Sequence, residues 1–69
     1  MIEFGRTFKD LRILNNKSQK DMAKILNVSQ AAVSNWEAGR KVPEVPMLIK
    51  ISKFFEVSID YLLDLEDKK

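Results

Sequence analysis

The 69-residue sequence has no cysteine and no histidine, only two glycines and two prolines, and a single tryptophan. Without cysteine there is neither a disulfide nor a thiolate metal site. Without histidine there is no imidazole ligand and no base that titrates near neutral pH. No glycine-rich phosphate loop is present, and the carboxylates sit where helix caps and surface charges are expected. The reading is therefore of a protein that is not an enzyme, with no catalytic residue, cofactor or metal. No apolar run approaches the roughly 18 residues of a membrane span. The N-terminus also lacks the basic-then-apolar layout of a signal peptide. Together these lead to the expectation of a cytoplasmic protein with no membrane partner. β-branched residues nowhere alternate with polar ones over the length of a strand, and there is no repeat or low-complexity tract.

What remains is helical periodicity in a chain near the lower size limit for a single core. A domain of this size buries only about 60% of its unfolded surface. With 45% apolar residues and no staple, a helical bundle is the economical solution. One domain is expected over residues 1–65, followed by a tail at 66–69, with no second domain to sense a small-molecule effector. Phe4, Phe8, Leu11 and Leu14 mark the inner face of a first helix that ends in the polar run Asn15-Asn16-Lys17. Ser18-Gln19-Lys20-Asp21 has the form of a capping box opening a second helix. That helix turns Met22, Ile25 and Leu26 inward, with Ala23 allowing close approach, and it stops at Asn27, a residue tolerant of the left-handed conformation. Ser29 is the expected N-cap of a third helix, with Val28 packing on Val33, and Gly39 is its stop. So short a link between the second and third helices makes a helix-turn-helix. A fourth helix from Pro46 to Phe55 is apolar over a wide arc. Val45, Leu48, Ile51, Ser52 and Phe55 make a sufficient stripe, leaving Met47, Ile49 and Phe54 in surplus. A fifth begins at Ser58 and carries Ile59, Leu62 and Leu63 inward.

The third helix has an informative outer face. Val33 and Trp36 define its buried side, and opposite stand Gln30, Ala31, Ser34, Asn35 and Ala38. Long Lys and Glu side chains, the usual cover of a solvated helix, are missing from that face. Small residues bring a backbone close to base edges in the major groove. Gln and Asn can pair with adenine N6 and N7, Ser with several bases, and an alanine methyl can rest on the methyl of thymine. Ordinary solvation of a helix built from good helix formers fits the same face. Charge leans toward a polyanion: residues 1–43 hold eight Lys and Arg against four acids, and residues 44–69 four against six. Lys17, Gln19, Lys20, Arg40 and Lys41 flank the third helix, where they could meet phosphates.

From about Phe4 to Leu63 the chain resembles the Xre or Cro/C1-type helix-turn-helix family of phage repressors and small bacterial regulators. The segments FGRTFKDLR, SQKDMAKILNVSQAAVSNWEAGRKVP and VSIDYLL carry the likeness in the expected order. The resemblance implies an all-α fold, a compact five-helix lambda-repressor-like domain whose helix-turn-helix is formed by helices 2 and 3. It also implies a DNA-binding regulator, a repressor in the simplest case, that binds a palindromic operator in double-stranded DNA as a homodimer. Gln30, Ala31, Ser34 and Asn35 match base-facing positions. Gln19 matches a glutamine that contacts phosphate and braces the first recognition residue, and Arg40 and Lys41 lie in the loop that meets the backbone. Arg12 and Glu37 match an ion pair joining the first helix to the end of the third. Three positions depart from the family pattern: Asn27 stands for glycine, Glu44 for a Ser or Asp cap, and Ala31 for a hydrogen-bonding side chain. The surplus apolar residues make Met47, Phe54, Tyr61 and Leu65, with Ile49, the expected dimer surface. They also keep open an antitoxin-like or other protein-interaction module on the same fold.

Overall fold

The computed structural model describes residues 4–63, and among them the chain forms five helices: α1 Phe4–Leu14, α2 Gln19–Leu26, α3 Gln30–Glu37, α4 Val45–Phe55 and α5 Ile59–Leu62. Local side chains set most of the boundaries. The Ser18 hydroxyl accepts from the Asp21 N–H at 2.9 Å, and the Ser18 N–H donates to the Asp21 carboxylate at 2.9 Å, which completes the expected capping box. That backbone donation, with the Ser18 side chain next, holds the Asp21 carboxyl below its ordinary value of 3.8. Ser29 and Ser58 cap α3 and α5 by accepting from the N–H groups of Ala32 and Tyr61. Glu44 precedes α4 without a side-chain capping bond, as the departure from the usual Ser or Asp would suggest.

Four helices end in one way. Asn16, Asn27, Gly39 and Glu56 take positive φ angles of 57°, 59°, 80° and 57°. Beyond α1, α2 and α3 the returning bonds are Lys17 N–H to Arg12 C=O, Val28 N–H to Ala23 C=O and Arg40 N–H to Asn35 C=O. Each is the longer bond of a Schellman motif, satisfying carbonyls that the helix itself leaves open. Asn27 thus does the work of the family glycine, at the modest strain a short polar side chain allows.

The core is a single cluster of Phe4, Phe8, Met22, Ala23, Leu26, Val33, Trp36, Leu48, Ile51 and Leu62. Trp36 is 7% exposed and stands edge-on to Phe8, with centroids 5.9 Å apart. It is a core residue, and its ring is buried against α1 rather than offered to a base. Three apolar expectations need correcting. Leu14 is 76% exposed: it lies two turns past the buried Thr7, about 10 Å along the axis, where α1 has outrun its neighbours. Val45 is 63% exposed because it is the first residue of α4, ahead of the turns that bring Leu48 and Ile51 inward. Ile25 keeps 37% exposure, flanking rather than joining Met22 and Leu26. α4 also begins one residue before Pro46, which fits a helix start because its missing N–H is not needed in the first turn. Among the described residues no helix is long and apolar enough to cross a membrane.

The position of α3 depends on Gly5. A Cβ there would collide with the Trp36 carbonyl oxygen and lie 2.9 Å from that of Glu37, so the first turn of α1 rests directly on the carbonyl end of α3. In the sequence, the signal of this close approach is a lone glycine inside an otherwise apolar-periodic helix. Gly5→Ala is expected to lower the unfolding free energy by about 1–3 kcal/mol through overpacking, even though alanine favours a helix by about 1 kcal/mol. Urea denaturation monitored by Trp36 fluorescence measures it, and an unchanged or higher midpoint would show that α1 is free to move off α3.

Candidate nucleic-acid interface

The turn of Asn27-Val28-Ser29 holds α2 and α3 as an angled pair, and the outer side of that pair is the candidate interface. α3 is fixed from behind. Val33 is fully buried and Trp36 nearly so, while Gln30 and Ala31 at its start are exposed and Ser34 and Asn35 half-buried. Gln30 and Ser34 are four residues apart, as are Ala31 and Asn35, so the four lie on one strip of the helix.

Beneath the far end of α3 lies a polar knot. The Arg12 Nε donates to Glu37 Oε2 at 2.6 Å and its Nη2 to Oε1 at 3.1 Å, making a two-pronged ion pair. Its Nη1 donates to the Lys17 carbonyl at 2.8 Å. Gln19 Nε2 donates to Glu37 Oε1 at 3.1 Å. Only 11% of the Arg12 side chain and 5% of the Glu37 side chain reach solvent. Alone, Glu37 would be an anion at the negative end of a helix dipole and largely out of water, two unfavourable circumstances at once. Three donors from two other segments answer both. The knot therefore joins α1, the turn after it and the start of α2 to the end of α3.

The expected residues fall into three groups. Arg12, Glu37, Gln19 and the backbone of Lys17 come together in the knot. Gln19 directs its amide nitrogen at Glu37 rather than at Gln30, so its side chain helps to hold α3 from below. Arg40 and Asn35 meet through a 3.2 Å hydrogen bond from Nη1 to Oδ1. Lys20 and Lys41 are exposed, as is Arg40. Lys50 was not singled out from the sequence. Its amino group donates to the Leu26 carbonyl at 3.0 Å, bringing a cation from α4 to the negative end of α2. Nothing local in the sequence marks that contact, since it joins residues 24 apart.

On α4, Ile49 and Phe54 are 40% and 39% exposed, and Phe54 packs edge-on against Phe55 with centroids 5.0 Å apart. Met47 and Tyr61 are half-buried, Met47 against the core, so only part of each faces outward. Leu65 lies outside the described residues.

Known proteins share both sequence and geometry with this chain. The family model described as Helix-turn-helix (HTH_3) matches residues 8–62. The chain is 42% identical over 66 residues to the HTH-type transcriptional activator BcrR of Enterococcus faecalis, covering 96% of this chain but 32% of that protein. It is 39% identical over 59 residues to the uncharacterized HTH-type transcriptional regulator MJ0272 of Methanocaldococcus jannaschii, covering 86% of this chain and 89% of that one. The P22 c2 repressor, solved in complex with synthetic operator 9T, superposes with a TM-score of 0.86 at 29% identity, over 96% of this chain and 100% of that one. The expected all-α, five-helix, repressor-like fold is thus the observed one.

Breaking the knot from one side strands a buried charge. Arg12→Ala or Glu37→Ala is expected to cost about 3–5 kcal/mol, and the double replacement Arg12→Met with Glu37→Leu much less, because no lone ion remains. Chemical denaturation of the three variants decides it. If the single variants lost no more than about 1 kcal/mol, the pair would be an ordinary surface bridge.

Proposed function

The chain belongs to the helix-turn-helix family, whose members named above are HTH-type transcriptional regulators and a repressor, and from that membership we propose that it is a sequence-specific DNA-binding regulator of transcription. In this reading α3 enters the major groove of double-stranded DNA. Gln30, Ala31, Ser34 and Asn35 meet base edges, and Lys17, Gln19, Lys20, Arg40 and Lys41 meet phosphates beside them. The observation that carries it is the strip on α3: small and polar on one side, with Gln30 and Ala31 exposed and Ser34 and Asn35 half-buried, and immobilised on the other by Val33, Trp36 and the Arg12–Glu37 pair. Pre-ordering the helix in this way reduces the entropy lost when it docks.

The proposed unit is a homodimer on a palindromic operator, with two copies of α3 in successive major grooves about 34 Å apart. The exposed Ile49 and Phe54 on α4 support a self-association surface. Occupancy would then regulate directly, by blocking polymerase or by recruiting it. The same apolar flank also supports the second reading, a protein-interaction module of the antitoxin type. A partner of different sequence that co-purifies tightly would favour that reading.

Selection of bound sequences from random duplex DNA at two salt concentrations tests the proposal. A two-fold symmetric site is expected. Lys41→Ala should weaken binding to every sequence and flatten the salt dependence by about one ion. Gln30→Ala should instead relax preference at a particular base pair. Equal loss on specific and random DNA for Gln30→Ala would count against direct readout.

A further inference from the structure

The end of α3 does more than stop the helix. Gly39, at φ 80°, turns the chain so that the Arg40 N–H donates to the Asn35 carbonyl at 3.0 Å and the Gly39 N–H to the Trp36 carbonyl at 3.2 Å. This Schellman motif sets the second residue past the helix cap over the third from the helix end, a spot where two apolar side chains usually touch. Here the two are Arg40 and Asn35, and the Arg40 guanidinium donates to Asn35 Oδ1 at 3.2 Å. We infer that Arg40 is a specificity-determining positioning residue, which fixes the amide of Asn35 so that it meets DNA as a hydrogen-bond donor. The inference rests on the base-reading role given to α3 above.

The chemistry follows from which atoms can donate. A guanidinium has five N–H donors and no acceptor, whereas an asparagine amide has an acceptor oxygen at one end and a donor nitrogen at the other. Only Oδ1 can face Arg40, so the amide is prevented from flipping and Nδ2 is turned away from Arg40. Among the described residues nothing accepts from that nitrogen, leaving two N–H groups for a base edge. Asn35 then favours a base pair that presents an acceptor in the major groove at its position, such as N7 or O6 of guanine, N7 of adenine or O4 of thymine. It disfavours the amino group of cytosine there. A phosphate contact carries no sequence information. Here Arg40 acts on sequence through another side chain.

The motif itself is made of backbone bonds, so Arg40→Ala leaves it standing. The informative comparison is with Lys41→Ala, which removes the same charge from the neighbouring residue but has no bond to Asn35. Binding of the full chain to the selected duplex and to its single-base variants is measured for wild type, Arg40→Ala, Lys41→Ala, Asn35→Ala and the Arg40/Asn35 double variant, with thermal unfolding alongside.

Wild type should discriminate at one base-pair position by at least about fivefold, the lower end of what one good base contact supplies. Asn35→Ala should bring that ratio close to one. Arg40→Ala should reduce the ratio at the same position by at least half, and the double variant should go no further than Asn35→Ala. Lys41→Ala should leave the ratio alone while lowering affinity throughout. If Arg40→Ala kept the wild-type ratio and behaved like Lys41→Ala, Arg40 would be a phosphate contact alone and the inference would fail while base reading by α3 stood. If wild type showed no preference, or Asn35→Ala did not alter one, base reading by Asn35 would fail and this inference with it.

Discussion

A carboxylate that is almost wholly enclosed, at the end of a helix whose dipole already makes that end negative, has to be answered by a cation and by hydrogen bonds. Glu37 is in that position, and Arg12 and Gln19 answer it with three bonds. Because the donors come from α1 and α2, the helix that offers the polar strip cannot shift without parting an ion pair. Gly5 adds a steric constraint to the electrostatic one, setting the first turn of α1 directly on the Trp36 and Glu37 carbonyls. A domain of this size buries only about 60% of its unfolded surface, so the knot and the close approach add to the hold that Val33 and Trp36 provide.

Those constraints separate the two surfaces of α3. The core contacts and the ion pair enter α3 from its inner side and its C-terminal end, and Ser29 caps its start, so that among the described residues the side chains of Gln30, Ala31, Ser34 and Asn35 are tied down only by the Arg40 bond to Asn35. A face relieved of packing is available for recognition, and its small side chains give clearance. Gln19 has a place in the knot and a position where an anion could bind. It stands at the N-terminus of α2, where a phosphate would be favoured, and its amide nitrogen is engaged on Glu37.

Much of this was legible from local residue patterns. Caps are local hydrogen bonds, so Ser18, Ser29 and Ser58 marked their helix starts, and the Asn27 and Gly39 stops followed from tolerance of positive φ. The buried side of α3 could be read from Val33 and Trp36 by periodicity alone. What could not be read depends on where helices end relative to one another. Leu14 and Val45 continue apolar stripes but stand beyond the last neighbour that might cover them. Lys50 reaches Leu26 across 24 residues, and periodicity contains no information about such a meeting. The Glu56 turn was likewise unmarked, since a glutamate is not a usual occupant of a left-handed position. Of the candidate site, the pair of Arg12 and Glu37 came from family likeness, and the direction of Gln19 emerged only from the assembled fold.

On the proposed reading, α3 is a braced helix whose outer strip meets DNA while its inner knot stays intact. The most direct measurement is an NMR titration of isotope-labelled protein with its selected DNA duplex, following backbone amides together with the Arg12 Nε resonance. The largest shifts are expected at Gln30, Ala31, Ser34, Asn35 and the start of α2, with the Arg12 signal still that of a paired guanidinium. Shifts concentrated on α4 around Ile49 and Phe54, with α3 silent, would contradict the proposed reading.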